Sequence, residues 1–285
     1  MPRGQWTTTS SSLHSLAVPM DFSSLDAVLL DLDGTVYHEE HPIPGAVEFI
    51  HRLRARETKY ACLTNSTSSP ARISKRLGNM GIDVDPAHIY TAAAGAADYV
   101  MERHGGEPAR PARVFNLSTD GLAEMLEGKV HWVQPPGDEP CDVVISGAPG
   151  NVYATEDRRR VALKLLRAGA ALVGICADRI FPSPRGIEFG AGALGLMLGY
   201  AANVEPIFTG KPQPLFFREL CRRLKVAPER CVLIGDNLES DIGGGKSVGM
   251  RTILTLTGIT RREDAERLPA EKRPDGIIRD LSELM

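Results

Sequence analysis

The stretch Asp26-Ala27-Val28-Leu29-Leu30-Asp31-Leu32-Asp33-Gly34-Thr35 decides how the rest of the chain is read. Its first half is a short apolar run closed by an acid, which suits a strand buried in a parallel sheet better than a helix. Its second half sets two carboxylates, Asp31 and Asp33, one residue apart where that strand ends. Gly34 then lets the backbone turn sharply and leaves room for a ligand. Open parallel sheets bind ligands outside the carboxyl ends of their strands, so the chemistry is sought there and at the ends of neighbouring strands.

Working outward, a helix is expected from Gly45 to Arg56, a second buried strand over Lys59–Leu63 running into Thr64-Asn65-Ser66, and a helix from Pro70 to Met80 stopped by Gly81. Strand and helix alternating at this pace argue for an α/β fold, a parallel sheet wound by crossover helices. Glu102–Pro111, rich in Gly, Pro and charge, marks a boundary. Beyond it a second α/β unit is expected: strands Arg113–Leu117, Cys141–Ser146 and Ala171–Cys176, with helices Asp120–Glu127 and Glu156–Arg167. The apolar run Gly192–Tyr200 is expected to be a packed helix. The first texture resumes with Thr209-Gly-Lys-Pro-Gln-Pro214, a helix through Leu224, the strand Cys231–Gly235, a helix Glu239–Val248 and the strand Arg251–Leu256. Residues 21–104 and 206–285 thus form one domain, interrupted by a second at 105–205. Residues 1–20 are Ser/Thr-rich without an apolar signal core and are expected to be a disordered tail.

Composition excludes several classes of function. With 33 basic and 36 acidic residues, a formal charge of −3 and no clustered positive field, nothing points to a nucleic-acid or membrane-surface partner. No apolar stretch approaches the ~20 residues of a membrane span. Five scattered cysteines without a C-x-x-C pair read as reduced thiols of a cytoplasmic protein.

Four features fall at the ends of expected strands: Asp31/Asp33 with Gly34, Thr64-Asn65-Ser66, Lys211 after a glycine, and Gly235-Asp236 with Asp241. Singly they are a turn, a helix cap, a surface lysine and helix-start charges. Together they meet the needs of phosphoryl transfer, which asks a protein mainly to position and neutralise charge. Asp31 is placed to attack phosphorus, and Asp236 adds a second anionic ligand for magnesium. Lys211 neutralises phosphate, while the Thr64 hydroxyl and nearby backbone N–H groups, at the start of a helix, donate to phosphate oxygens. Asp33 is then free for acid–base work on the leaving alkoxide and the attacking water.

These residues resemble the haloacid dehalogenase superfamily, in its NagD-like branch of p-nitrophenyl, sugar, polyol, nucleotide and cofactor phosphatases. The matching motifs are Asp31-Leu-Asp33-Gly-Thr-Val-Tyr37 with Ile43-Pro-Gly45, then Leu63-Thr64-Asn65-Ser66, Gly210-Lys211-Pro212, and Gly235-Asp236-Asn-Leu-Glu-Ser-Asp241. The resemblance implies a Rossmann-like core and an inserted α/β cap of type C2. It implies Asp31 as nucleophile, Asp33 as acid/base, Thr64, Asn65 and Lys211 on the phosphate, and magnesium held by Asp31, the Asp33 carbonyl and Asp236, with Asp241 in support. The acidic residue at position 33 favours a phosphatase over a dehalogenase. The substrate implied is a small phosphorylated metabolite, and caps of this branch sometimes join in homodimers. A phosphotransferase or mutase, or a silent phosphate-binding protein, would share the same core motifs.

The expected cap departs from the branch's pattern. Cys176-Ala177-Asp178 stands where Thr-Asn-x-Asp is frequent, and Phe189-Gly190-Ala-Gly192 where Pro-Gly-x-Gly is usual. Asp178, Arg179, Arg185 and Glu188, on an expected Pro/Gly-rich loop over the site, are the selectivity residues to examine.

Overall fold

Five consecutive buried residues, Ala27–Asp31, need backbone partners on both edges, and in the computed structural model they have them. The structure describes residues 25–105, 110–183 and 186–285, so the expected tail at 1–20 and the candidate Arg185 lie outside it. Ala27–Asp31 pairs in parallel with Lys59–Thr64 on one side and Cys231–Gly235 on the other. Arg251–Thr255 and Gly276–Ile278 extend the sheet beyond Cys231–Gly235, and Ile89–Thr91 closes the other edge. One neighbour of the central strand is this sheet's next strand along the chain, while the other returns some 200 residues later. The chain order reverses there, and such switch points open a crevice at the carboxyl ends.

Alternation along each strand sends side chains to two separate cores. Val28, Leu30, Tyr60, Cys62, Val232 and Ile234 meet the helices Ala46–Ala55 and Pro70–Asn79. Ala27, Leu29, Ala61, Leu63, Cys231 and Leu233 meet the helix Pro214–Leu224 through Phe216, Phe217 and Leu220. Both faces are covered, which is why these strands read as unbroken apolar runs.

A second parallel sheet carries the strands Arg113–Leu117, His131–Trp132, Val143–Ser146, Ala171–Gly174 and Ile207–Phe208. Helices Glu156–Arg167 and Ala191–Ala202 pack on one face. The other face holds the helices Asp120–Leu126 and Ala92–Arg103. Small Ala92, Ala93, Ala96 and Ala97 let Ala92–Arg103 lie close under this second sheet, while Ala94 faces the first sheet's core. The second sheet's strand at Ile207–Phe208 therefore runs past residue 205, and a helix that precedes residue 105 packs beneath it.

Other expectations are corrected. The loop expected over the site is an antiparallel hairpin, Ile180–Ser183 with Gly186–Phe189, closed by four residue pairs. The helix expected over Glu239–Val248 is a wide π-type turn, Leu238–Gly243, followed by the short helix Gly244–Ser247. The Asn237 side chain accepts from the Glu239 and Ser240 amides, which starts that turn and carries Asp241 inward. Ala191–Ala202 is a helix, but only one face is packed; Leu196, Met197 and Tyr200 are exposed. No helix among the described residues is long and apolar enough to cross a membrane.

Leu30 is fully buried one residue before the central strand's terminal acid. Leu30→Ala is expected to lower stability by about 2–5 kcal/mol through lost burial and a residual cavity, read from the urea midpoint of unfolding.

Candidate active site

The carboxyl ends of the three central strands deliver Asp31, Thr64 and, one residue beyond Gly235, Asp236 to one volume. Lys211 reaches the same place from the segment after Ile207–Phe208. Its Nζ donates to Asp31 Oδ1 at 2.5 Å and to Asp241 Oδ1 at 2.7 Å, with all three residues buried. Asp31, Asp236 and Asp241 each offer an oxygen within 4.8 Å of the others. Thr35 Oγ1 donates to the remaining Asp31 oxygen at 3.4 Å.

Close backbone approach makes this convergence possible. Gly34 has φ +84°, and a Cβ there would lie 2.7 Å from Asp236 Oδ2. A Cβ on Gly235 would lie 2.6 Å from Asp241 Oδ2. Asp236 Oδ2 also accepts from the Ile259 amide at 2.8 Å, and Asp241 Oδ2 from the Asn237 amide at 3.1 Å. The carboxylates are thus held by the backbone as well as by the lysine.

Three buried acids around one ammonium leave an excess of negative charge in a desolvated place. Burial pushes the Asp31 carboxyl well above the usual range; Lys211 opposes this, and the charges of Asp241 and Asp236 add to it. Asp236 is raised to about 6, by burial first and then by Asp241. Burial works against the Lys211 charge, but Asp241 and Asp31 outweigh it and hold the ammonium above its ordinary value. A divalent cation relieves such an excess, and an all-oxygen donor set fits a hard ion rather than zinc or copper. The residues present therefore fit a divalent-cation site.

The other expected residues divide. Asp33 is exposed and lines the same cavity, but its carboxylate stands outside the buried cluster. Asp241, expected only in support, belongs to that cluster. Thr64 Oγ1 accepts from the Ser66 amide at 3.1 Å, which leaves its own hydrogen to donate. The segment Asn65–Ser69 separates Thr64 from the helix at Pro70, so Thr64 does not stand at a helix N-terminus. The Asn65 side chain bridges two segments of the site. Its Oδ1 accepts from the Lys211 amide at 2.8 Å, and its Nδ2 donates to the Lys211 carbonyl at 3.1 Å and to Asp178 Oδ1 at 3.0 Å.

The cavity holds about 600 Å³. Of the expected selectivity residues, Asp178 lines it; Arg179 is exposed and does not, and Glu188 receives a hydrogen bond from Ser183 within the hairpin. Ile180 and Phe181 on the hairpin, Cys176, Ile259, and Tyr37 with Arg76 also line it, and sequence reasoning gave none of them a role. The Arg76 guanidinium lies 4.8 Å from the Tyr37 ring centre. Only Tyr37 carried a signal, as the last residue of the first motif.

Lys211→Met leaves three buried carboxylates without their ammonium. It is expected to cost about 3–5 kcal/mol of stability in EDTA, read from chemical unfolding, with partial recovery in excess magnesium.

The comparisons with known proteins agree with this geometry. Residues 28–129 match the haloacid dehalogenase-like hydrolase family and residues 208–284 a HAD-hydrolase-like family. The acid sugar phosphatase of Staphylococcus aureus is 31% identical over 258 residues, 90% of this chain and 95% of that one. The 4-nitrophenylphosphatase of Thermotoga maritima superposes with a TM-score of 0.81 at 30% identity, over 92% of this chain and 97% of its own. The glycerol phosphate phosphatase of Mycobacterium tuberculosis in complex with magnesium gives 0.80 at 28% identity, over 92% and 77%. Sequence and structure together place the chain in the haloacid dehalogenase-like hydrolases, in the branch of NagD and the 4-nitrophenylphosphatases.

Proposed function

We propose that the protein is a magnesium-dependent phosphatase of small phosphomonoesters that works through a phosphorylated Asp31. The observation that carries this reading is the placement of Asp31 at the switch-point strand end, between Lys211 and two further buried acids. The glycerol phosphate phosphatase, solved with magnesium and with calcium, supports a hard divalent ion, and magnesium is the one that ordinarily serves substrate phosphates. Asp31 and Asp236, with the Asp33 carbonyl or Asp241, would hold it, and bound there it would neutralise phosphate oxygens and the nucleophile.

The protein's own groups then divide the work. An Asp31 oxygen attacks phosphorus and the bond to the substrate's ester oxygen breaks. Asp33, at the open side of the cavity, gives that oxygen its proton and so releases a neutral alcohol. Deprotonated Asp33 next takes a proton from water. That water attacks the aspartyl phosphate, which frees inorganic phosphate and regenerates Asp31. Lys211 holds Asp31 in place and balances charge throughout, and the Thr64 hydroxyl donates to a phosphate oxygen.

In this reading the second sheet and its helices, residues 105–205 extended to Ile207–Phe208 and joined by Ala92–Arg103, act as the cap. Five free cysteines suit the reducing cytoplasm. A cavity of about 600 Å³ suits a metabolite rather than a phosphoprotein. A sugar or polyol phosphate, as in the names of two relatives, is the first class to test.

Phosphate release from p-nitrophenyl phosphate and a metabolite panel is expected with magnesium and is expected to stop in excess EDTA. Asp31→Asn should abolish turnover while the protein stays folded; release at the wild-type rate would remove Asp31 from the reaction. Asp33→Asn should slow turnover by ~100-fold or more, the usual worth of general acid catalysis, without weakening magnesium-induced stabilisation.

A further inference from the structure

Lys211 is delivered by a segment that belongs to neither sheet. Thr209 still donates its amide to the Gly174 carbonyl at 3.0 Å, and the helix Pro214–Leu224 begins three residues beyond the lysine. Between them the main chain is pinched from both sides. A Cβ on Gly210 would lie 2.7 Å from Asn65 Oδ1 and 2.8 Å from both Cys176 Cβ and the Ile175 carbonyl oxygen. Buried main-chain groups need partners. One side chain meets both of those on Lys211: its amide donates to Asn65 Oδ1 at 2.8 Å, and its carbonyl accepts from Asn65 Nδ2 at 3.1 Å.

The second hydrogen of Asn65 Nδ2 goes to Asp178 Oδ1 at 3.0 Å. Both donors of the amide are then used, and only one orientation of it satisfies all three partners. The other Asp178 oxygen accepts from the Cys176 thiol at 3.2 Å. These contacts close a ring from Lys211 through Asn65, Asp178 and Cys176 back to Gly210. Asn65 follows a first-sheet strand and Asp178 lies beyond a second-sheet strand, so the ring closes only where the two units are docked.

We infer that Asn65 is a positioning residue: anchored by Asp178, it holds the main chain of residue 211 so that the Lys211 ammonium reaches Asp31. The inference deepens the phosphatase reading and rests on it. Its physical content is registry. The ammonium sits at the end of a flexible stem, and its bonds to Asp31 and Asp241 fix the far end only. Asn65 fixes the near end. With that end loose, the segment is free to drift by the ~1 Å that costs a reaction about 100-fold when an aligned group is displaced. Lys211 acts on the phosphate and its nucleophile, so the loss falls on turnover and is the same whichever alcohol is esterified.

The test measures kcat and KM with magnesium for p-nitrophenyl phosphate and the bulkier 4-methylumbelliferyl phosphate. The proteins are wild type, Asn65→Ala, Asp178→Ala, Asp178→Asn and the double alanine variant, each checked for cooperative unfolding. Asn65→Ala is expected to lower kcat about tenfold or more, by the same factor on both substrates, with a smaller change in KM. Asp178→Ala is expected to lose about three- to tenfold, and the double variant no more than Asn65→Ala alone. Asp178→Asn, whose amide oxygen still accepts from Asn65, should recover most of the Asp178→Ala loss. A folded Asn65→Ala with kcat within about twofold of wild type would overturn the inference. So would losses that multiply in the double variant, a loss that differs between the two substrates, or a rise in KM at unchanged kcat. If Asn65→Ala does not fold, the Asp178 pair decides: equal kcat in Asp178→Ala and Asp178→Asn overturns the inference. Release from neither substrate by wild type would overturn the phosphatase reading as well; every other adverse result leaves that reading standing.

Discussion

The structure turns on one buried ammonium. Lys211 stands among Asp31, Asp236 and Asp241, and taking four ionised groups out of water is costly unless each is paired. The fold meets that cost with backbone as much as with charge. The wide turn at Leu238–Gly243 swings Asp241 under Lys211, and the Ile259 amide meets Asp236. Glycines at 34 and 235 let main chain pass where a methyl group would collide with a carboxylate. The acids still outnumber the base, and the surplus is what suits the place to a divalent cation and a phosphate together.

Positioning that lysine ties the two sheets to each other. Lys211 follows the last strand of the second sheet, Ile207–Phe208, yet its ammonium belongs to the first sheet's strand ends. Asn65, one residue past a first-sheet strand, clasps the Lys211 backbone on both its donor and acceptor sides and extends to Asp178. Near by, Glu124 accepts from Ser69 and from Arg72, and Thr119 donates to the Thr67 carbonyl. A Cβ on Gly121 would lie 2.6 Å from the Ser69 amide, so this helix fits closely against the loop after Thr64. The second sheet's unit is therefore docked on the loop that follows Thr64.

The chemistry was legible in the sequence because it is encoded by short local patterns. A buried parallel strand reads as an apolar run, and the acid, threonine or glycine–lysine at its end reads as a site. Asp31, Thr64, Lys211 and Asp236 all stand where that logic sends them. What stayed hidden lies where tertiary contacts add to local preference. Asn65 reads locally as part of a helix cap, and only the return of residue 211 from far along the chain shows that its side chain clamps backbone. Ala92–Arg103 carries alanine on most of its buried positions, so its apolar periodicity is faint until a second sheet supplies the partner.

The hairpin of Ile180–Ser183 with Gly186–Phe189 shows why the cavity's wall was harder to read than its floor. Pro182, Pro184 and Gly186 within ten residues suggest an open loop. Yet proline is compatible with a two-stranded ribbon wherever its missing N–H faces away from the ladder, and Gly186, which opens the return strand, takes a φ of +110°. With no third strand to cover it, the ribbon leaves Ile187 and Phe189 exposed and sets Ile180 and Phe181 along the cavity. A carboxylate that meets its lysine at a strand end has its position announced by the strand. A wall residue need only present a surface, which many sequences can do.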